Sequence, residues 1–257
     1  MTATRVRLVS ESNGAVRILT LSGIAKHNAI GWHTFDALDA ALDRVEASGT
    51  CRVLCITGAG TRAFCAGADI DDVARMDAAT FRTFAGRTVG LVRRLSEMPQ
   101  IVVAAVNGIA YGAGCALVMA SDLVVAHAKA KFAQPEIDVG IVGGAALLPR
   151  RVASHAKVAE MVLLGRALGA AEAEQAGLVG RVVEDNPLSA ARAIARELLE
   201  KPAGALAFAK QALVRGRSIA NEMEAFDLQQ DLAAMSRTLP ESRAASQRFL
   251  GRRRKSR

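Results

Sequence analysis

The chain has 257 residues, of which 51% are hydrophobic, 23% are charged and only 4% are aromatic, and its formal net charge is +8. A chain of this length and apolar content can bury a sizeable aliphatic core, which excludes intrinsic disorder as its main state. Five of the positive charges lie in the basic tail, residues 252–257, so the rest of the chain is only mildly basic. This tail is predicted to fray, and because it lacks interleaved aromatic residues, a nucleic-acid partner is not expected.

The chain begins without the apolar core of a signal peptide, and its cysteines form no CxxC pair. A disulfide framework is therefore not expected, and a cytoplasmic location is predicted. A buried structural thiol is the favoured interpretation of Cys115, against a reactive one. The four histidines lack the paired spacing of metal ligands, so no metal site is expected.

The first half of the chain alternates between strands and helices. Two strands, at 6–9 and 16–21, flank Asn13-Gly14, which is typical of a hairpin. Helical spacing over 35–45 follows, and then come a strand at 53–56, a helix near 78–97, a strand at 101–106, a helix from 112 and a strand at 123–125.

Residues 101–121 carry no charge and are long enough to resemble a membrane span. Asn107 and three glycines interrupt them, however, so a buried strand, a loop and a helix are predicted and no membrane partner is expected.

Beyond residue 140 the patterns are mostly helical. Helices are predicted at 144–152, 155–164, 170–176, 187–200 and 203–216, with a strand at 179–183 and a later apolar stripe over 223–235. We therefore predict a core, residues 1–195, followed by a helical region, residues 196–257, that packs on another subunit.

Three segments could carry chemistry. Residues 64–70 and 107–115 place glycine and alanine directly after buried strands, where backbone N–H groups can face a ligand. Tight packing of strand on helix would explain either segment alone. In the third segment, residues 132–140, Glu136 follows a proline between apolar runs. A lone glutamate is usually a solvated charge; the alternative here is a carboxyl in a buried loop with a raised pKa. Residues 58–63 also fit GxGxxA, the fingerprint of a dinucleotide-binding site. That site would need a helix to begin within the motif, and Gly67 falls where this helix would run, so a dinucleotide site is rejected.

In this order, these segments resemble the enoyl-CoA hydratase/isomerase (crotonase) family over about residues 10–250. The matching segments are KHNAI (26–30), TGAG (57–60), AFCAGAD (63–69), NG followed by GAGC (107–115), ASDL (120–123), FAQPE (132–136) and AEQAGLV (173–179). Several segments in one order are more specific than a single short motif.

The resemblance implies an α/β fold, with a crotonase-like ββα spiral core and a helical C-terminal trimerisation region. It also implies a homotrimer or a dimer of trimers that acts on acyl-CoA thioesters, with no separate cofactor because coenzyme A is part of the substrate. Glu136 would be the general acid/base, and the backbone N–H groups of Ala68 and Ala113 would hold the thioester oxygen. Residues near coenzyme A would be Lys26, Ala66, Asp69, Ile70 and Gly112.

Two residues depart from the family pattern. Ala113 stands where a glycine is frequent, which leaves its N–H in place. Ala116 stands where hydratases carry a second glutamate, so activation of water by two carboxylates is impaired. Asp138 would point the same way as Glu136 in an extended segment and is a candidate second carboxylate, although a surface or capping role is favoured.

Two classes of function therefore stay open. The first is an enzyme that forms an enolate with one glutamate, by hydration or by double-bond isomerisation of enoyl-CoA; the family favours hydration and Ala116 favours isomerisation. The second is a non-catalytic acyl-CoA binder, which Ala116 suggests and Glu136 argues against.

Overall fold

A computed structural model describes residues 3–255 of the chain. These residues form ten strands: β1 (Arg5–Glu11), β2 (Val16–Ser22), β3 (Val53–Gly58), β4 (Ala63–Cys65), β5 (Ile101–Val106), β6 (Ile109–Tyr111), β7 (Leu123–His127), β8 (Lys131–Ala133), β9 (Leu168–Gly169) and β10 (Arg181–Val183). They also form ten helices: α1 (Trp32–Glu46), α2 (Ile70–Val73), α3 (Ala78–Glu97), α4 (Ala113–Ala120), α5 (His155–Leu163), α6 (Ala170–Gln175), α7 (Pro187–Leu199), α8 (Ala203–Gly216), α9 (Glu222–Thr238) and α10 (Pro240–Lys255).

The strands form two sheets. The larger has the order β1-β2-β3-β5-β7-β10 and is parallel except for the β1–β2 hairpin, and the smaller has the order β4-β6-β8-β9. Each of the pairs β3–β4, β5–β6 and β7–β8 places its first strand in the larger sheet and its second in the smaller one. Helices follow the first two pairs, which confirms the repeated strand–strand–helix spiral.

Alternating side chains of the larger sheet enter two separate cores. Leu54 and Ile56 of β3 belong to the main core, which also contains residues of α1, α3 and α4. Val53 and Cys55 point to the opposite face and pack with Ala191 and Ala195 of α7. Because both faces of the sheet are covered, β3 and β5 are buried along their whole length, as their uninterrupted apolar runs predict.

A buried ion pair anchors the C-terminal helices to this core. Lys210 of α8 is 3% exposed, and its Nζ lies 2.8 Å from Asp122 Oδ2. The same ammonium donates hydrogen bonds to the carbonyl oxygens of Leu95 and Gln100, at 2.9 and 2.8 Å. The predicted domain boundary at 195/196 falls within α7 and stays a prediction.

Most predicted elements are confirmed, but two predictions are wrong. Only Leu148–Arg150 of the predicted helix at 144–152 is helical, as a single 3-10 turn, because Gly144 takes a left-handed φ of 67° and Pro149 has no N–H to donate. The basic tail continues α10 as far as Lys255, while residues 256–257 lie outside the described part. Within residues 3–255, no helix is both long and apolar enough to cross a membrane.

Candidate active site

Two glycine turns lie against each other at the ends of β4 and β6. Gly67 and Gly112 have φ of 106° and 50°, values that L side chains rarely adopt. A Cβ atom added to Gly112 would lie 3.7 Å from Gly67 Cα, and one added to Gly67 would lie 3.1 Å from the carbonyl oxygen of Tyr111. Glycine at both positions therefore lets the two backbones approach closely.

These turns present Ala68 and Ala113, the two residues predicted to donate backbone N–H groups. Ala68 forms a parallel bridge with Ile30, in which Ile30 N–H donates to Gly67 O and Asp69 N–H donates to Ile30 O, both at 2.8 Å. Ala113 is the first residue of α4, where an N–H has no partner within the helix. Among the hydrogen bonds of residues 3–255, neither of these N–H groups has an acceptor.

Glu136 lies beside the same turns, in a 3-10 turn over Pro135–Val139. A Cβ atom added to Gly112 would lie 3.0 Å from Glu136 Oε1, and one added to Gly143 would lie 2.2 Å from Glu136 Cδ. The Glu136 carboxyl therefore occupies space that these two glycines leave open. Its Oε2 is buried and has no hydrogen-bond partner in the described part of the chain. Burial raises the pKa of Glu136 above the usual 4.5, partly opposed by its own backbone N–H.

Ala116, which replaces the second glutamate of hydratases, and Asp138, the candidate second carboxylate, have different surroundings. Ala116 lies in the first turn of α4, where its N–H donates to Gly112 O at 2.9 Å, and its methyl group cannot titrate. The extended segment assumed for Asp138 is wrong, because the 3-10 turn rotates residues 136 and 138 to different sides. The carboxylate of Asp138 lies against Gly165, where an added Cβ atom would be 2.8 Å from Oδ2. Asp138 and Glu136 thus have different neighbours.

Two of the residues predicted near coenzyme A, Lys26 and Asp69, line one cleft. Lys26 Nζ contacts Asp69 Oδ2 at 2.5 Å and Asp71 Oδ2 at 3.0 Å, and these hydrogen bonds raise the pKa of Lys26. A cavity of about 370 Å³ adjoins this ion pair, and its lining includes Lys26, Trp32, His33, Asp69, Asp72 and Arg75. Ala66 N–H donates to His27 O at 3.0 Å, and Ile70 is exposed.

Two buried or half-buried asparagines hold the turn that leads into the site. Asn28 Nδ2 donates to the carbonyl oxygens of Ala59 and Ala63, at 3.0 and 2.8 Å. Asn107 Nδ2 donates to those of Gly58 and Gly60, at 2.9 and 2.7 Å. Both fix the connection between β3 and β4. In the sequence, Asn28 and Asn107 are indicated only by their places in the segments that match the family, and no pattern there indicates the carbonyl groups that they bind.

Other chemistries find little support in the described residues. Burial raises the pKa of the Cys115 thiol to about 12, and the charge of Glu136 adds to this, so the thiol stays protonated, as expected for a structural cysteine. Among residues 3–255, no group of three or more His, Cys, Asp or Glu side chains could hold a metal ion.

Comparisons with known proteins identify the family of this chain. The enoyl-CoA hydratase/isomerase family model matches residues 11–256. A 1,2-epoxyphenylacetyl-CoA isomerase from Escherichia coli is 34% identical over 255 residues and covers 96% of both chains. A short-chain-enoyl-CoA hydratase from Clostridium acetobutylicum is 32% identical over 234 residues, 85% of this chain and 87% of that protein.

Among solved structures, an enoyl-CoA hydratase from Bacillus anthracis superimposes with a TM-score of 0.90 at 25% identity over 96% of both chains. A Thermoplasma volcanium enoyl-CoA hydratase gives 0.88 at 29% identity over 95% and 96% of the two chains. This chain therefore belongs to the enoyl-CoA hydratase/isomerase family, and it is an enzyme of the hydratase/isomerase type with the family's fold.

Proposed function

We propose that this enzyme isomerises the double bond of enoyl-CoA thioesters, with Glu136 as its single acid/base. The observation that carries the proposal is the carboxyl of Glu136, whose buried Oε2 has no partner among the described residues and whose Oε1 lies beside Gly112. A carboxylate in this state can accept a proton from carbon, because it is not already committed to another donor.

The reaction needs only proton transfer. In a 3-enoyl thioester, Glu136 takes the proton from C2, the electrons of that C–H bond form the C1=C2 double bond of a dienolate, and the carbonyl π electrons collect as negative charge on the thioester oxygen. When the carbonyl re-forms, the C1=C2 electrons become the C2=C3 double bond and the C3=C4 electrons take up a proton at C4. The protonated Glu136 then returns the proton to C4, which gives the 2-enoyl product. A raised carboxyl pKa suits both steps, since the same group must first accept and then release the proton.

The N–H groups of Ala68 and Ala113 would stabilise the dienolate oxygen. Both are without acceptors within residues 3–255 and lie on adjacent turns. Ala113 also begins α4, whose N-terminal end carries partial positive charge. The cleft lined by Lys26 and Asp69 would take part of the coenzyme A portion of the substrate, and Ala66, Ile70 and Gly112 are the other residues proposed to contact it.

Hydration of 2-enoyl-CoA is the second candidate, supported by the hydratase names among the relatives. Ala116 argues against hydration, because a water molecule would have only one carboxylate to fix and activate it.

The exposed apolar side chains Leu213, Met223, Phe226 and Met235 on α8 and α9 support assembly as a trimer or a dimer of trimers. Four buried, unpaired cysteines fit a reducing cytoplasm.

Assays with a 3-enoyl-CoA and with crotonyl-CoA test the proposal. We expect isomerisation to be the faster reaction, Glu136→Gln to lower its kcat by about 10²–10⁴-fold, and Ala116→Glu to increase hydration of crotonyl-CoA. Faster hydration than isomerisation in the wild type would contradict the proposal. Tight binding of acyl-CoA without exchange of the C2 proton in deuterated water would instead support a non-catalytic binder.

A further inference from the structure

We propose that Gln134 is a positioning residue that orients and polarises the peptide group between Gly112 and Ala113; this rests on the proposed role of the Ala113 N–H. Gln134 directly follows β8, and the residue is 2% exposed. Its Nε2 donates a hydrogen bond to Gly112 O at 3.3 Å. That oxygen and the Ala113 N–H belong to the same peptide group, so a donor on one end acts on the other.

Gly112 is held through both its N–H and its carbonyl group, by the last residue of β8 and by the residue that follows it. Its N–H donates to Ala133 O at 3.0 Å, and its carbonyl accepts from the side chain of the next residue, Gln134. The backbone angles of Gly112, φ 50° and ψ −117°, belong to no regular helix or strand, so outside contacts must fix this peptide plane. Gly112 O also accepts from Ala116 N–H at 2.9 Å, and hydrogen bonds to a carbonyl make the N–H of the same peptide a stronger donor.

The side chain of Gln134 is itself confined. A Cβ atom on Gly144 would lie 2.6 Å from its Cδ, and Cys115 is within hydrogen-bonding reach on another side. The neighbouring Gly143 leaves space for Glu136 in the same way. Two consecutive glycines therefore accommodate the proposed base and the residue that fixes the proposed oxyanion donor.

The test is the infrared carbonyl stretch of a bound acyl-CoA with a ¹³C-labelled thioester carbonyl. Gln134→Met removes the donor and keeps the side-chain length, and Gln134→Thr serves if Met does not fold. We expect the wild type to shift the stretch to lower frequency than in free ligand, and the variant to lose a third or more of that shift. Its kcat should fall by about 10–100-fold while KM changes less than threefold, since misplacement of about 1 Å costs on the order of 100-fold. Gly86→Ala, at a glycine of α3 where an added Cβ meets no atom within 4 Å, should keep the full shift.

The outcomes separate this inference from the proposed function. If the wild type shows no shift, the oxyanion role of Ala113 fails, and the inference fails with it. If the wild type shows the shift and the Gln134 variants keep both the shift and kcat, the positioning role is overturned while the proposed function stands. A fall in thermal stability alone, with shift and kcat unchanged, would also overturn it, because that is the result of a packing role.

Discussion

Gly143→Ala tests the position of the Glu136 carboxyl without changing any polar or charged group. The backbone of Gly143 lies outside the left-handed region, so alanine fits its angles. Its added methyl carbon would lie 2.2 Å from Glu136 Cδ, whereas ordinary contact begins at 3.4 Å. The carboxyl must therefore move by at least about 1.2 Å, or the loop must move by the same amount.

A displacement of this size predicts a loss of about 100-fold in kcat for 3-enoyl-CoA isomerisation, with little change in KM. The matched control is Gly86→Ala on the exposed side of α3, where an added Cβ meets no atom within 4 Å. We expect that control to keep full activity and to gain roughly 0.5–1 kcal/mol in free energy of unfolding, as alanine does in helix interiors.

A double-mutant cycle tests whether the clash itself is the cause. In a Glu136→Asp background the carboxyl is drawn back by one methylene group, so adding Gly143→Ala should cost less than it does in the wild type. Steady-state kinetics and urea unfolding would be measured on all four proteins. The reasoning is refuted if Gly143→Ala keeps kcat within threefold of the wild type while remaining folded.

Three further predictions concern stability and charge. Burial raises the folded-state pKa of Glu136, so ionisation of this carboxyl lowers the free energy of unfolding as the pH rises from 4.5 through that raised value. Urea unfolding should therefore give Glu136→Gln a higher free energy of unfolding than the wild type at about pH 8, and no such difference at about pH 4. Lys210→Ala leaves the Asp122 carboxylate without its ammonium partner and should cost about 3–5 kcal/mol in urea unfolding, and adding Asp122→Ala should cost less than it does in the wild type. Asp138→Asn should keep kcat within about twofold, because its carboxylate faces Gly165; a tenfold loss would restore it as a second carboxylate.

The larger sheet could be predicted because its strands carry long, fully buried apolar runs. The prediction of a strand at 101–106 coincides with β5, whose six residues are all buried. The strands of the smaller sheet were not found one by one, since β4, β6 and β8 have three residues each and β9 has two. Such short strands show no periodicity, and pairing with neighbours distant in sequence defines them.

The residues of the candidate site also differ in how far the sequence alone could predict them. Glu136 stood out because a charge between apolar runs after a proline is unusual, and its raised pKa follows from local burial. The roles of Asn28 and Gln134 depend on carbonyl groups more than 20 residues away in sequence, which no local pattern indicates. The extended segment assumed for residues 136–138 is a 3-10 turn, in which residues two apart do not share a side as they do in a strand.

The ion pair between Lys210 and Asp122 bears on how such enzymes can be recombined. Helix α4 begins at Ala113 and ends at Ala120, two residues before the aspartate that accepts this lysine from α8. C-terminal helices taken from a relative that lacks this lysine would leave the Asp122 carboxylate without its ammonium partner. A chimera would have to supply an ammonium group at the position of Lys210, or replace Asp122 as well, to keep the helix that carries the proposed oxyanion donor in place.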